Sequence, residues 1–272
     1  MALTVGTGPF GRQSSGEFNF TREGPAHVLY WEDSPKRVRV RLGSETVADS
    51  RHVKLLHETG LMPVYYFPRA DVREELLEAT DHTTHCPFKG DASYWTVRTG
   101  DAVAENAVWG YPDPLEHAPP LQDHVAFSWQ AMDAWLEEDE EVGVHARDPY
   151  HRIDVLSSSR HVVVKLDGEV LADSTRPLIL LETGLPPRYY LPREDIRVEL
   201  EPSETHSGCP YKGTASYFHV AADGQRYDDL AWTYPDPLPE SLRIRDLICF
   251  YDEKVDTELD DEAQPRPETK FA

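Results

Sequence analysis

The chain writes one phrase twice. His85-Cys86-Pro87-Phe88-Lys89-Gly90-Asp91-Ala92-Ser93-Tyr94-Trp95 returns as Gly208-Cys209-Pro210-Tyr211-Lys212-Gly213-Thr214-Ala215-Ser216-Tyr217-Phe218. Other matched pieces surround it in an unbroken order. Val38-Arg39-Val40-Arg41-Leu42 answers to Val162-Val163-Val164-Lys165-Leu166, and Ala48-Asp49-Ser50 to Ala172-Asp173-Ser174. Glu58-Thr59-Gly60-Leu61 pairs with Glu182-Thr183-Gly184-Leu185, and Tyr65-Tyr66-Phe67-Pro68-Arg69 with Tyr189-Tyr190-Leu191-Pro192-Arg193. After the cysteine, Trp109-Gly110-Tyr111-Pro112-Asp113-Pro114 matches Trp232-Thr233-Tyr234-Pro235-Asp236-Pro237. A duplication with only two copies is too short for a solenoid and reads as two tandem domains.

Within each copy the local pattern is that of strands. Val38, Val40 and Leu42 alternate with Arg39 and Arg41, and Ile196-Arg197-Val198-Glu199-Leu200-Glu201 alternates strictly, the period of a half-buried strand. Asp167-Gly168 between two β-rich runs marks a tight hairpin. Ser93–Val97 and Ser216–Val220 are further strands. Twenty-two prolines punctuate short elements and oppose long helices. Glu74-Glu75-Leu76-Leu77-Glu78-Ala79 holds good helix formers, but the alternation of its counterpart decides for strand. The fold class expected is all-β.

The expected organisation is a mobile N-terminal segment over residues 1–24, a first repeat over 25–136 and a solvated acidic connector over 137–148. A second repeat spans 149–259, and an acidic tail, 260–272, follows an edge strand. Forty-nine acidic against 27 basic residues give a formal charge of −22, which opposes binding to nucleic acid or an anionic membrane. No apolar run reaches the roughly 18 residues of a membrane span. Met1-Ala2-Leu3-Thr4-Val5-Gly6 lacks the basic and apolar regions of a secretory signal, and the expected compartment is cytoplasmic. Three cysteines, Cys86, Cys209 and Cys249, form neither a disulfide framework nor a zinc knuckle.

The combination Val-x-Val-x-Leu, Ala-Asp-Ser, Glu-Thr-Gly, Tyr-x-Pro-Arg-x-Asp, Cys-Pro-aromatic-Lys-Gly and Trp-x-Tyr-Pro-x-Pro resembles the family known as domain of unknown function 427. The resemblance spans 25–135 and 149–259. It implies a β-tent fold in each repeat, two small antiparallel sheets meeting at an angle, as in methionine sulfoxide reductase B and the thalidomide-binding domain of cereblon. Many such proteins hold zinc with four cysteines, a set neither half of this chain possesses. The family sometimes carries a nucleotidyltransferase label.

Several matched residues could carry chemistry. Cys86 and Cys209 are either thiols activated by Lys89 and Lys212 or small residues buried at a strand entry. Each lysine precedes glycine in a turn, where it could meet an anion. Glu58 and Glu182 sit in apolar runs, where an unpaired carboxylate would be raised in pKa. Arg69 and Arg193 are the expected partners, making each glutamate either a general base or one end of a structural ion pair. Tyr94, Trp109 and Tyr111, with Tyr217, Trp232 and Tyr234, would form a core or a pocket wall. His82, His85 and His206 do not match between copies, so no metal and no cofactor is expected.

These features fit an unidentified small molecule held in each repeat. The alternatives are a non-catalytic interaction module, or the nucleotidyl transfer that the family label suggests.

Overall fold

Short alternating runs become strands, and tight turns rather than helices connect them. The computed structural model describes residues 3–21, 24–222 and 224–269. Among these the helical elements are single 3₁₀ turns such as Arg69–Asp71 and Arg193–Asp195, with a longer one at Pro239–Ile244. Among the described residues no helix is long and apolar enough to cross a membrane. The chain divides into two compact units, Ala2–Pro149 and Tyr150–Ala272.

The first unit contains β1 (Leu29–Asp33), β2 (Val38–Leu42), β3 (Glu45–Ser50), β4 (Lys54–Glu58), β5 (Leu61–Pro68) and β6 (Leu77–Cys86). It continues with β7 (Gly90–Arg98), β8 (Val103–Gly110), β9 (His124–Phe127), β10 (Ala134–Glu137) and β11 (Glu140–Glu141). The strands form a large antiparallel sheet in the order β1-β4-β5-β9-β8-β7-β6 and a small one in the order β11-β10-β2-β3. Period-two alternation gives the large sheet two different apolar faces. Tyr65, Phe67, Val97, Val108 and Phe127 join Val38, Val40 and Leu42 of the small sheet in the main core. Their neighbours Leu56, Tyr66 and Ala126 point the other way, into a second cluster with Ala92, Tyr111 and Leu121. Each fully buried large side chain contributes roughly 1.5–3 kcal/mol.

The second unit repeats this plan. It has β12 (Ile153–Ser157), β13 (Val162–Leu166), β14 (Glu169–Ser174), β15 (Leu178–Glu182), β16 (Arg188–Tyr190) and β17 (Leu200–Cys209). These are followed by β18 (Gly213–Ala222), β19 (Gln225–Thr233), β20 (Cys249–Phe250), β21 (Asp256–Leu259) and β22 (Glu262–Ala263). The small sheet runs β14-β13-β21-β22, the same order as in the first unit. The large sheet is divided into β12-β15-β16 and β17-β18-β19-β20, bridged by a single residue pair, Leu191 and Ile248. Pro186 and Pro187 enter β16, where the missing amides shorten the strand.

The matched Ala-Asp-Ser and Pro-Arg-x-Asp pieces act on one another. Ser50 Oγ donates to Asp71 Oδ2 at 2.5 Å, and Ser174 Oγ to Asp195 Oδ2 at 2.7 Å. Each bond ties a 3₁₀ turn to the end of a strand and contributes about 1–3 kcal/mol.

The all-β expectation holds, with local differences. Glu74–Leu76 is a 3₁₀ turn, and β6 begins at Leu77. In the Ile196–Glu201 stretch only Leu200 and Glu201 are in a strand; Ile196 makes an isolated bridge to Ala172. Alternation alone did not reveal that the Arg193–Asp195 turn offsets the strand start. In the acidic block expected to be a solvated connector, residues 138–141 are exposed, while its first residue ends β10 of the first unit. Glu137 is buried, accepting from Tyr65 Oη at 2.9 Å and Lys36 Nζ at 2.5 Å, because a carboxylate with two good donors tolerates burial.

The N-terminal segment expected to be mobile lies partly outside the described residues, at 1–2 and 22–23. Its described part packs on the first unit: Thr4 and Val5 are buried, and Gly60 N donates to Thr4 O at 2.8 Å.

Candidate functional site

Glu58 ends β4, and Lys89 occupies the hairpin between β6 and β7. Glycine is required at the next position. Gly90 has φ +105°, and a Cβ there would lie 3.3 Å from Asp113 O; at Gly213 φ is +95° and the distance to Asp236 O is 3.1 Å. Leu115 N donates to Lys89 O, and Leu238 N to Lys212 O, both at 3.1 Å. The cysteine hairpin is thereby locked to the Tyr-Pro-Asp-Pro segment, which carries Tyr111 or Tyr234.

This geometry brings each lysine onto the glutamate. Lys89 Nζ donates to Glu58 Oε2, and Lys212 Nζ to Glu182 Oε2. A histidine holds the other oxygen. His27 Nε2 is 2.9 Å from Glu58 Oε1, and His151 Nε2 is 3.1 Å from Glu182 Oε1. Each histidine ring stacks on the aromatic residue of the cysteine hairpin, His27 on Phe88 at 3.7 Å and His151 on Tyr211 at 3.9 Å between centroids. The glutamate side chains are 7% exposed, and those of Lys89 and Lys212 are 10% and 11% exposed. Two nearly buried ion pairs with the same third member are therefore built from matched residues.

Burial pushes the Glu182 carboxyl up, but the His151 contact and the Lys212 charge outweigh it and bring it down to about 2. At neutral pH Glu182 is an anion with both oxygens engaged. A general base needs a pKa nearer the working pH, so Glu182 is suited to fixing its neighbours.

Around the cluster stand the aromatic residues. Lys89 Nζ lies 5.7 Å from the centroid of Tyr111. Burial raises the Tyr111 hydroxyl, with Cys86 and Glu58 adding to the shift; Tyr234 is raised by burial, with Cys209 and Glu182 adding. Both phenols are therefore neutral hydroxyls, able to donate or to accept. Trp232 Nε1 donates to Tyr190 Oη at 3.1 Å, and Trp109 faces Tyr66. The hydroxyls of Tyr94 and Tyr217 meet Thr84 and Ser207 at 2.9 and 2.7 Å. Cys86 and Cys209 are free and partly buried at the hairpin entrance.

The arginines are elsewhere, which corrects the expected Glu–Arg pairs. Arg69 pairs with Glu74 at 2.7 Å and lies 4.8 Å from the centroid of Trp95; Arg193 lies 5.0 Å from the centroid of Phe218. Trp95 and Phe218 adjoin the main cores, whereas Tyr94 and Tyr217 adjoin the second clusters. Adjacent residues in a strand face opposite ways, so each arginine is on the wrong side of its sheet. His27 and His151 escaped the sequence reading. Pro25-x-His27 and Pro149-x-His151 recur in phase with the two glutamates, far in sequence from the cysteine motif.

Among the described residues, no three or more His, Cys, Asp or Glu side chains form a group able to hold a metal ion. A separate cavity of about 240 Å³ lies in the N-terminal segment, lined by residues including Thr7, Pro9, Glu17 and Phe18 and by none of the cluster.

The folding plan and duplicated cluster coincide with a family match. The family model described as Domain of unknown function (DUF427) matches residues 30–138 and 154–261, and the chain belongs to that family as a tandem pair. The model's short label is that of a nucleotidyltransferase. No curated protein matches the chain.

Proposed function

We propose that each repeat is a small-molecule-binding domain whose polar floor is the histidine–glutamate–lysine cluster and whose wall is the nearby tyrosine and tryptophan. The observation that carries this reading is a nearly buried ammonium with unused hydrogen-bonding capacity, present in both repeats. Lys89 and Lys212 each have three N–H donors, and among the described residues each makes one hydrogen bond, to its glutamate. Burying donors without acceptors costs about 1–3 kcal/mol each, and a bound ligand relieves that cost. The aromatic surroundings match the usual composition of a ligand site.

Binding rather than catalysis is the reading favoured by the low pKa of Glu182 and by the occupation of both its oxygens. Nucleotidyl transfer has weaker support. It commonly uses gathered carboxylates to hold a divalent cation on a phosphate chain, whereas Asp71 and Asp195 serve Ser50 and Ser174.

A thermal-shift screen of the full chain against a metabolite collection tests the proposal. Compounds that stabilise the wild type should lose their effect when both Lys89→Met and Lys212→Met are present. Tyr111→Phe with Tyr234→Phe provides a gentler control should the lysine variants fold poorly. Stabilisation that survives both pairs of changes, or a collection in which nothing stabilises the wild type, would overturn it.

A further inference from the structure

The unused groups at the cluster are two ammonium N–H groups, which only donate, and a tyrosine hydroxyl, which can donate as well, and this restricts the ligand further. One oxygen of each glutamate accepts from the lysine, and the other lies 2.9 Å from His27 Nε2 or 3.1 Å from His151 Nε2. The Tyr111 and Tyr234 residues are 6% and 5% exposed, and among the described residues neither hydroxyl has a hydrogen-bond partner. Each lysine ammonium retains two further N–H groups.

We infer that the ligand presents an oxyanion, a carboxylate or a phosphate, to the Lys89–Tyr111 pair in the first repeat and the Lys212–Tyr234 pair in the second. This rests on the binding reading above and adds the chemistry of the ligand. An oxyanion oxygen can accept several hydrogen bonds at once, and those from an ammonium are charge-assisted and about twice as strong as neutral ones. A ligand made of donors would leave the lysine N–H groups unsatisfied. Glu58 and Glu182 partly offset the attraction, so an isolated anion should bind weakly and a larger ligand more tightly through the aromatic wall.

The experiment is a titration of the full chain, with its lysine Nζ groups labelled for NMR, using inorganic phosphate in one arm and acetate in the other. Sodium chloride at matched ionic strength is the reference. Saturating shifts at the Lys89 and Lys212 signals are expected with at least one oxyanion, and the better arm identifies phosphate or carboxylate as the preferred group. Tyr234→Phe should weaken the Lys212 response about tenfold, the loss of one hydrogen bond to a charged group, and leave Lys89 unchanged. Shifts no different from chloride, or a Lys212 response indifferent to Tyr234→Phe, would overturn the inference. If uncharged screen compounds bind in a Lys212-dependent way while neither oxyanion does, the binding reading survives and the oxyanion falls. If neither class reaches the lysines, both fall.

Discussion

In the second repeat the histidine of the cluster is sealed, with the side chain of His151 1% exposed; its counterpart His27 keeps 21%. The neighbouring threonines differ in the same sense. Thr183 Oγ1 donates to Arg152 O at 3.1 Å and accepts from Arg152 N at 2.9 Å. Thr59 Oγ1 accepts from Val28 N at 3.0 Å but donates to Phe10 O in the N-terminal segment at 2.9 Å. The walls differ more. Val64 is replaced by Arg188, which bonds Asp252 at 3.2 Å and Glu253 at 2.5 Å and lies 5.6 Å from the centroid of Trp232. In the first repeat His57 is buried 2.8 Å from Glu32, where the second has Leu181 and Leu156. Yet the glutamate keeps the same two partners in both. The cluster is thus insensitive to how its surroundings are built, and differences in ligand preference between the repeats should reside in the walls.

The largest expected effect comes from cutting the buried ion pair. Glu182→Ala and Glu58→Ala each leave a lysine buried without its carboxylate, which should cost about 3–5 kcal/mol in the repeat concerned. Urea unfolding followed by hydrogen exchange would assign the loss to one unit. A clearly smaller loss for Glu58→Ala would mean that the more open His27 lets water reach Lys89.

Acid should unfold the second repeat through Glu182. A carboxyl lowered on folding, here from 4.5 to about 2, contributes stability above the unfolded value. That contribution, about 3 kcal/mol at most, is lost as pH falls from 4.5 towards 2. Glu182→Gln should flatten the stability profile in that window, and an unchanged profile would show that the carboxyl is not held by His151 and Lys212.

Removal of the first 21 residues should destabilise the first repeat by about 2 kcal/mol for the buried Val5 and its neighbours. A first repeat left unchanged, read by hydrogen exchange, would contradict the burial of Thr4 and Val5. The smallest effect is expected for Arg193→Ala. Loss of its stacking on Phe218 should cost about 0.5–1 kcal/mol and leave the thermal shift by any ligand intact. A ligand effect abolished by this change would return the arginine to the site.

The duplication, the strands and the cysteine hairpin were legible because each rests on local pattern. Val38 to Leu42 shows its buried face by alternation, and Gly90 and Gly213 mark a turn that needs positive φ. The partner of Glu58 was not legible in this way. Choosing Arg69 over Lys89 relied on the general suitability of arginine for carboxylates, whereas the decision is made by which face of the sheet each residue occupies. Tyr94 and Trp95 are adjacent in sequence and belong to different cores, and that separation carries Arg69 away with Trp95. The histidines were readable in principle, since His27 and His151 are in phase with Glu58 and Glu182, but nothing local to Pro25 or Pro149 signals a link to a hairpin some sixty residues later.

The most direct measurement is a crystal structure of the full chain with the most stabilising compound from the thermal-shift screen. Ligand atoms within hydrogen-bond distance of Lys89 Nζ or Lys212 Nζ and against Tyr111 or Tyr234 are expected. Ligand bound instead in the cavity near Thr7 and Phe18, with both lysines closed over by protein, would contradict the assignment of the duplicated cluster as the binding site.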